Sequence, residues 1–164
     1  MKNIFFAFIT ALLFLGCSSN ATPTDVKPLL VVKQPLSYTL NDQFEKSHTL
    51  SKDTKTVIFA FAKKSAHSCN AFFNAQKPTY LQEHNAEFVA DVSAAPSLVR
   101  SLFILPGLKE FKHTVLLLDD ENVAQGYRAD MKVDDIVVVE LEDGVIKAIK
   151  NFTTTQELQK EIEH

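Results

Sequence analysis

The stretch Thr56-Val-Ile-Phe-Ala-Phe-Ala-Lys-Lys-Ser-Ala-His-Ser-Cys-Asn-Ala-Phe-Phe73 changes its period halfway along. Val57 to Ala62 is apolar without alternation, the pattern of a short strand buried on both faces. After Lys63 and Lys64, Cys69, Phe72 and Phe73 stand at i, i+3 and i+4, one face of a helix. Ser65 and Ser68 are candidate N-caps at the junction, because a hydroxyl accepts an orphan N–H of the first turn. The stretch therefore predicts a central strand running into a helix, with a cysteine in that helix's first turn.

Upstream, Leu36 to Leu40 alternates, Asn41-Asp42 marks a turn and Phe44 to Leu50 returns, which predicts a β-hairpin. Downstream, Pro78 opens a helical piece over Thr79 to His84, and Glu87 to Ser93 is the next strand. Pro96 opens a helix in which Leu98, Val99, Leu102 and Phe103 share a face, and Pro106-Gly107 closes it. Thr114 to Asp119 is a second continuously apolar strand. It is predicted to turn at Asp120-Glu121-Asn122 into a strand over Val123 to Arg128. Asp135 to Leu141 is a third, turning at Asp143-Gly144 into Val145 to Phe152. Thr154-x-x-Glu157 is a capping box that opens a last helix, with Leu158 and Ile162 at helical spacing. Strands interleaved with helices predict an α/β fold, a central mixed β-sheet with helices on both faces.

The N-terminus has a different character. Lys2 precedes an apolar run from Ile4 to Leu15, too short for a membrane span and suited to a secretory signal. The run ends in Phe14-Leu15-Gly16-Cys17, which resembles the bacterial lipobox. That resemblance implies cleavage before Cys17 and its acylation, with diacylglycerol and fatty chains such as palmitate. Residues 17–35 hold Ser, Asn, Thr and three prolines and are expected to form a flexible tether. Its apolar cluster, Leu29 to Val32, is a candidate edge strand. The expected organisation is a signal peptide over 1–16, the tether over 17–35 and one domain over 36–164. Without Lys2 the net charge falls from −3 to −4, which gives no footprint for nucleic acid.

With Cys17 acylated, Cys69 is the remaining cysteine, so paired-cysteine chemistry is excluded. The element order and several motifs resemble the thioredoxin fold in its peroxiredoxin and TlpA-like branch. Leu40 to Leu50 is similar to that branch's opening hairpin, with Glu45 in place of a glycine. Val137 to Ile146, around Asp143-Gly144, is similar to its later hairpin. Ser65-Ala66, Asn70-Ala71, Val99-Arg100-Ser101, Val123-Ala124 with Gly126, and Val137 to Val139 resemble the YtfJ family of periplasmic thioredoxin-like proteins. The resemblance implies a thioredoxin-like fold, export from the cytoplasm and no established enzymatic activity.

Measured against the thioredoxin family and the peroxiredoxins, the redox apparatus is missing. The C-x-x-C position reads Ser65-Ala-His-Ser68 or, shifted by one, Ala66-His-Ser-Cys69. Asp134-Asp135 stands where the family's cis-proline precedes the central strand, and a cis bond without proline costs about 2.5–4 kcal/mol. The peroxiredoxin proline and threonine fall on Ala62 and Ala66. Cys69 is thus either a core residue beside Phe72 and Phe73 or a thiol activated by a helix terminus with Lys63, Lys64 and His67 nearby.

Ser65, His67, Arg100 and Asp135 are the candidate binding residues. The five histidines show no metal-ligand spacing, Asp119-Asp120-Glu121 suggests a cation site but is better read as a solvated hairpin turn, and no metal or cofactor is expected. The function expected is that of a lipid-anchored periplasmic binding or structural module, attached to a membrane through Cys17, the outer one favoured by Ser18. Its partner would be a periplasmic protein or a small molecule. The alternative is a one-cysteine thiol peroxidase or reductase acting through Cys69.

Overall fold

The computed structural model describes residues 26–164, so the apolar run, Cys17 and the first part of the tether lie outside the described residues. The strands are β1 (Thr39–Asp42), β2 (Ser47–Thr49), β3 (Thr56–Ala60), β4 (Ala86–Asp91), β5 (Leu116–Leu118), β6 (Ile136–Glu142) and β7 (Val145–Phe152). The helices are α1 (Lys63–Ala75), α2 (Tyr80–Glu83), α3 (Ser97–Val99), α4 (Leu105–Leu108), α5 (Glu121–Arg128) and α6 (Thr155–Ile162). A π-helical turn, Arg100–Ile104, joins α3 to α4. The strands form one 7-stranded mixed sheet in the order β2-β1-β5-β4-β3-β6-β7.

β3 sits at the centre of the two-faced core, parallel to β4 and antiparallel to β6, with Ile58 opposite Val138 and Phe59 opposite Val137. Its side chains divide between two apolar layers. Ile58 and Ala60 join Cys69, Phe73 and Leu158 beneath α1 and α6, while Val57 and Phe59 join Ala124 and Tyr127 beneath α5. Burial on both faces is why the run carries no polar alternation. Each large side chain taken fully from water here contributes roughly 1.5–3 kcal/mol. The expected α/β class and the capping box at Thr154 are both present, and the apolar runs of β3 and β6 pair directly.

Elsewhere the structure departs from expectation. Asn41 and Asp42 belong to β1, and the turn comes after them. Asp42 works forward: its Oδ1 accepts the N–H groups of Phe44 and Lys46 at 2.8 and 3.0 Å, and Glu45 takes a positive φ of 65°. The predicted strand Val123 to Arg128 is the helix α5. Asp120 is its N-cap, accepting from Asn122 and Val123, and Glu121 and Arg128 complement its dipole at either end. Pro106-Gly107 does not close the preceding helix, which continues through α4. Leu98, Val99, Leu102 and Phe103 are exposed, and Ile104, Leu105 and Leu108 pack inward instead.

The segment grouped by composition with the tether touches the domain at a few points, although Leu29, Val31 and Val32 are exposed and Leu29 to Val32 form no strand. Leu30 is buried, Leu29 N–H donates to the Gly126 carbonyl at 2.9 Å, and Pro35 bridges to Val145.

Candidate functional site

Register brings the strand ends next to the candidate residues together at one end of the sheet. Ala60 lies opposite both Ala90 and Ile136, so the exits of β3 and β4 and the start of β6 adjoin where α1 begins. The N-cap of α1 is Ala62, neither Ser65 nor Ser68. Ser65 is buried at the third position, where its Oγ donates to the Ala62 carbonyl at 3.0 Å and lies 3.4 Å from the Ala62 N–H. Its hydroxyl is spent on fastening the helix start.

α1 begins at Lys63, so Cys69 is its seventh residue and stands in the second turn. Helix-dipole stabilisation of a thiolate fades beyond the first turn. Cys69 is 0% exposed and burial pushes its thiol up to about 12. It is the one free cysteine among the described residues. A buried thiol of this kind packs as a small apolar side chain and does not ionise in the physiological range.

The other candidates do not converge on it. His67 is exposed on the outer surface of α1. Arg100 turns back over the loop after β4, its Nη1 donating to the carbonyl oxygens of Ala95 at 2.8 Å and Ser93 at 3.3 Å. It holds a loop closed and is committed to backbone. Asp135 is half-buried ahead of β6, with its own N–H donating to the Lys132 carbonyl at 3.0 Å. The described peptide bonds, including those of Asp134 and Asp135, are trans. Among the described residues no group of three or more His, Cys, Asp or Glu is arranged to hold a metal ion, and no helix is long and apolar enough to cross a membrane.

Three polar features of the interior were not singled out by the sequence. Gln43 is fully buried, donating through Nε2 to the His113 carbonyl and accepting the Val115 N–H through Oε1, both at 2.9 Å. Its side chain thus stands in for a strand neighbour ahead of β5. His113 is buried among Phe73, Phe88 and Phe111, and its Nε2–H donates to Asn70 Oδ1 at 3.0 Å. Burial depresses its pKa to about 4. Asp91 at the end of β4 pairs with Arg128 at 3.2 Å, and Ser93 Oγ lies 2.6 Å from Asp91 and 2.8 Å from Glu121. Arg128 also pairs with Glu121, so this cluster ties α5 to β4. Glutamine, histidine and aspartate give no periodic signal, and only the serine spacing Asp91-x-Ser93 hints at a local turn.

No family model matches the chain, and no curated protein matches it in sequence. Solved structures match it in fold. A peroxiredoxin-like protein from Aquifex aeolicus superposes with a TM-score of 0.54 at 11% identity, covering 84% of this chain and 89% of that one. The reduced 2-Cys peroxiredoxin of Plasmodium vivax gives 0.52 at 13% identity, covering 82% and 81%. StoA from Bacillus subtilis gives 0.50 at 12% identity, covering 80% and 99%. At these identities the likeness is one of fold. The chain is an α/β protein with a thioredoxin-like fold, built on a mixed sheet with helices on both faces.

Proposed function

We propose that this is a lipid-anchored envelope protein, a thioredoxin-like module that binds or organises a periplasmic protein or small molecule and has no redox turnover of its own. The observation that carries the second half is the complete burial of Cys69, with its thiol held protonated and no second cysteine in the described domain. The resemblance to the YtfJ family and the lipobox-like Phe14-Leu15-Gly16-Cys17 support the first half. Attachment at Cys17 would hold the domain on the periplasmic side of a membrane, with Ser18 favouring the outer one.

Two measurements test the reading. Metabolic labelling with an alkyne-bearing palmitate analogue is expected to mark the wild-type chain and not Cys17→Ala; an unlabelled wild type contradicts the anchor. An aromatic disulfide reagent is expected to modify Cys69 in the native chain at least about a hundredfold more slowly than in denaturant, because reaction waits on opening of the core. Equal rates would contradict a packed thiol and favour the one-cysteine peroxidase or reductase.

A further inference from the structure

A cavity of about 320 Å³ opens at the far end of the parallel strands, where β3, β4 and β5 begin, opposite the sheet edge that carries the start of α1. Its volume is at the small end of the roughly 300–1,000 Å³ typical of ligand sites. Pro78, Leu81, Phe88 and Leu116 contribute an apolar lining, and Glu87 and Asp53 contribute carboxylates.

Glu87 is held in place by neutral donors. Tyr38 donates its hydroxyl to Oε2 at 2.7 Å and Thr54 donates to Oε1 at 2.8 Å. Thr54 and Tyr38 are buried, and Glu87 is half-buried. Burial, with the Glu87 charge behind it, pushes the Tyr38 hydroxyl well above its ordinary value, so it stays a donor. Each carboxylate oxygen retains accepting capacity after one such bond.

No cation answers this charge. Among the described residues Glu87 forms no ion pair, and none of the side chains lining the cavity is Lys or Arg. His48, also at the rim, is engaged by Asp42 at 2.8 Å. The flanking lysines, Lys52, Lys55 and Lys147, line an adjacent depression that shares Asp53, Thr54 and Asn85 with the cavity and also holds Glu142 and Asp143. A partly desolvated carboxylate without a counter-charge is costly, and a cation that enters beside it recovers the cost.

We propose that this cavity is a binding site for a small organic cation, a primary ammonium group on a short apolar body. The ammonium pairs with Glu87, with Asp53 adding field at the rim, and the alkyl part lies on the cavity's apolar wall, to which the exposed Pro78 contributes. The cavity lies at the opposite end of the strands from the start of α1 and its test does not read Cys69, so it stands or falls independently of the function proposed above.

The test uses the full-length chain, isotope-labelled and held in nonionic detergent near neutral pH, with n-butylammonium chloride as the probe and sodium chloride keeping ionic strength constant. Backbone amide shifts at Thr54, Asn85 and Glu87 are expected to saturate with a dissociation constant of about 1–10 mM, in keeping with so few atoms. Sodium butyrate and n-butanol are expected to bind at least about tenfold more weakly, and Glu87→Gln to weaken butylammonium by about tenfold. Asp53 is exposed, and Asp53→Asn is a second variant that leaves the Glu87 hydrogen bonds intact; about threefold weakening is expected there. Absence of saturable shifts in the folded wild type overturns the proposal. So does equal affinity for n-butanol, or butylammonium affinity unchanged in either variant.

Discussion

His113 is buried neutral between aromatic rings, with Nε2–H given to Asn70 and Nδ1 lacking a partner among the described residues. Protonation would place a second N–H, and a charge, where no acceptor waits. The folded pKa of about 4 lies below the ordinary 6.5, so the unfolded chain binds the proton first as pH falls. The neutral imidazole's contribution is therefore present above pH 6.5 and is lost as pH falls from there towards about 4. The loss runs at about 1.4 kcal/mol per pH unit within that window. Denaturant unfolding across the window should show wild type losing stability more steeply than His113→Gln, the difference isolating this group from carboxylates that titrate in both. Parallel curves would mean that His113 is hydrated. Cys69, in the same apolar layer, was legible as a core cysteine from its line with Phe72 and Phe73, although its place in the second turn was not. Gln43 and His113 were illegible because their partners are backbone and side-chain groups tens of residues away.

At the scale of elements, α5 shows where local pattern and tertiary context diverge. A turn at Asp120-Glu121-Asn122 predicted a strand after it, yet Asp120 caps a helix and Ala124 and Tyr127 share its buried face. Gly126 is at this position for space. A Cβ there would stand 2.8 Å from Leu29 Cγ and 3.3 Å from the Lys27 carbonyl oxygen. Helix propensity alone would make Gly126→Ala stabilising by about 1 kcal/mol. The contact reverses the sign, because the incoming chain must lift from α5. Gly126→Ala is expected to lower the melting temperature and speed proteolysis within residues 26–35, and Leu29→Ala in addition is expected to restore part of the loss. A stabilised Gly126→Ala would show that the segment does not pack on α5. The hairpin at Asp143-Gly144, with φ of 53° and 79°, was legible because its turn chemistry is local. The π turn was not, since one extra residue in a turn leaves composition unchanged.

For the whole molecule, three continuous apolar runs, at Val57, Leu116 and Ile136, carried most of the fold. Each belongs to a strand with both faces covered, and that requirement leaves few topologies. The candidate site was legible mainly as a set of absences. Its residues do not converge: Ser65 and Arg100 fasten backbone, His67 is exposed, and the thiol is sealed beneath α1. A thioredoxin-like fold with its cysteine packed away should consume no peroxide of its own. The measurement is stopped-flow mixing of the reduced chain, with Cys17→Ser leaving Cys69 as the only thiol, against hydrogen peroxide. The account predicts oxidation no faster than a small-molecule thiol at the same pH, with Cys69→Ser removing only that slow phase. Consumption several orders of magnitude faster, abolished by Cys69→Ser, would contradict it and make Cys69 a peroxidatic residue.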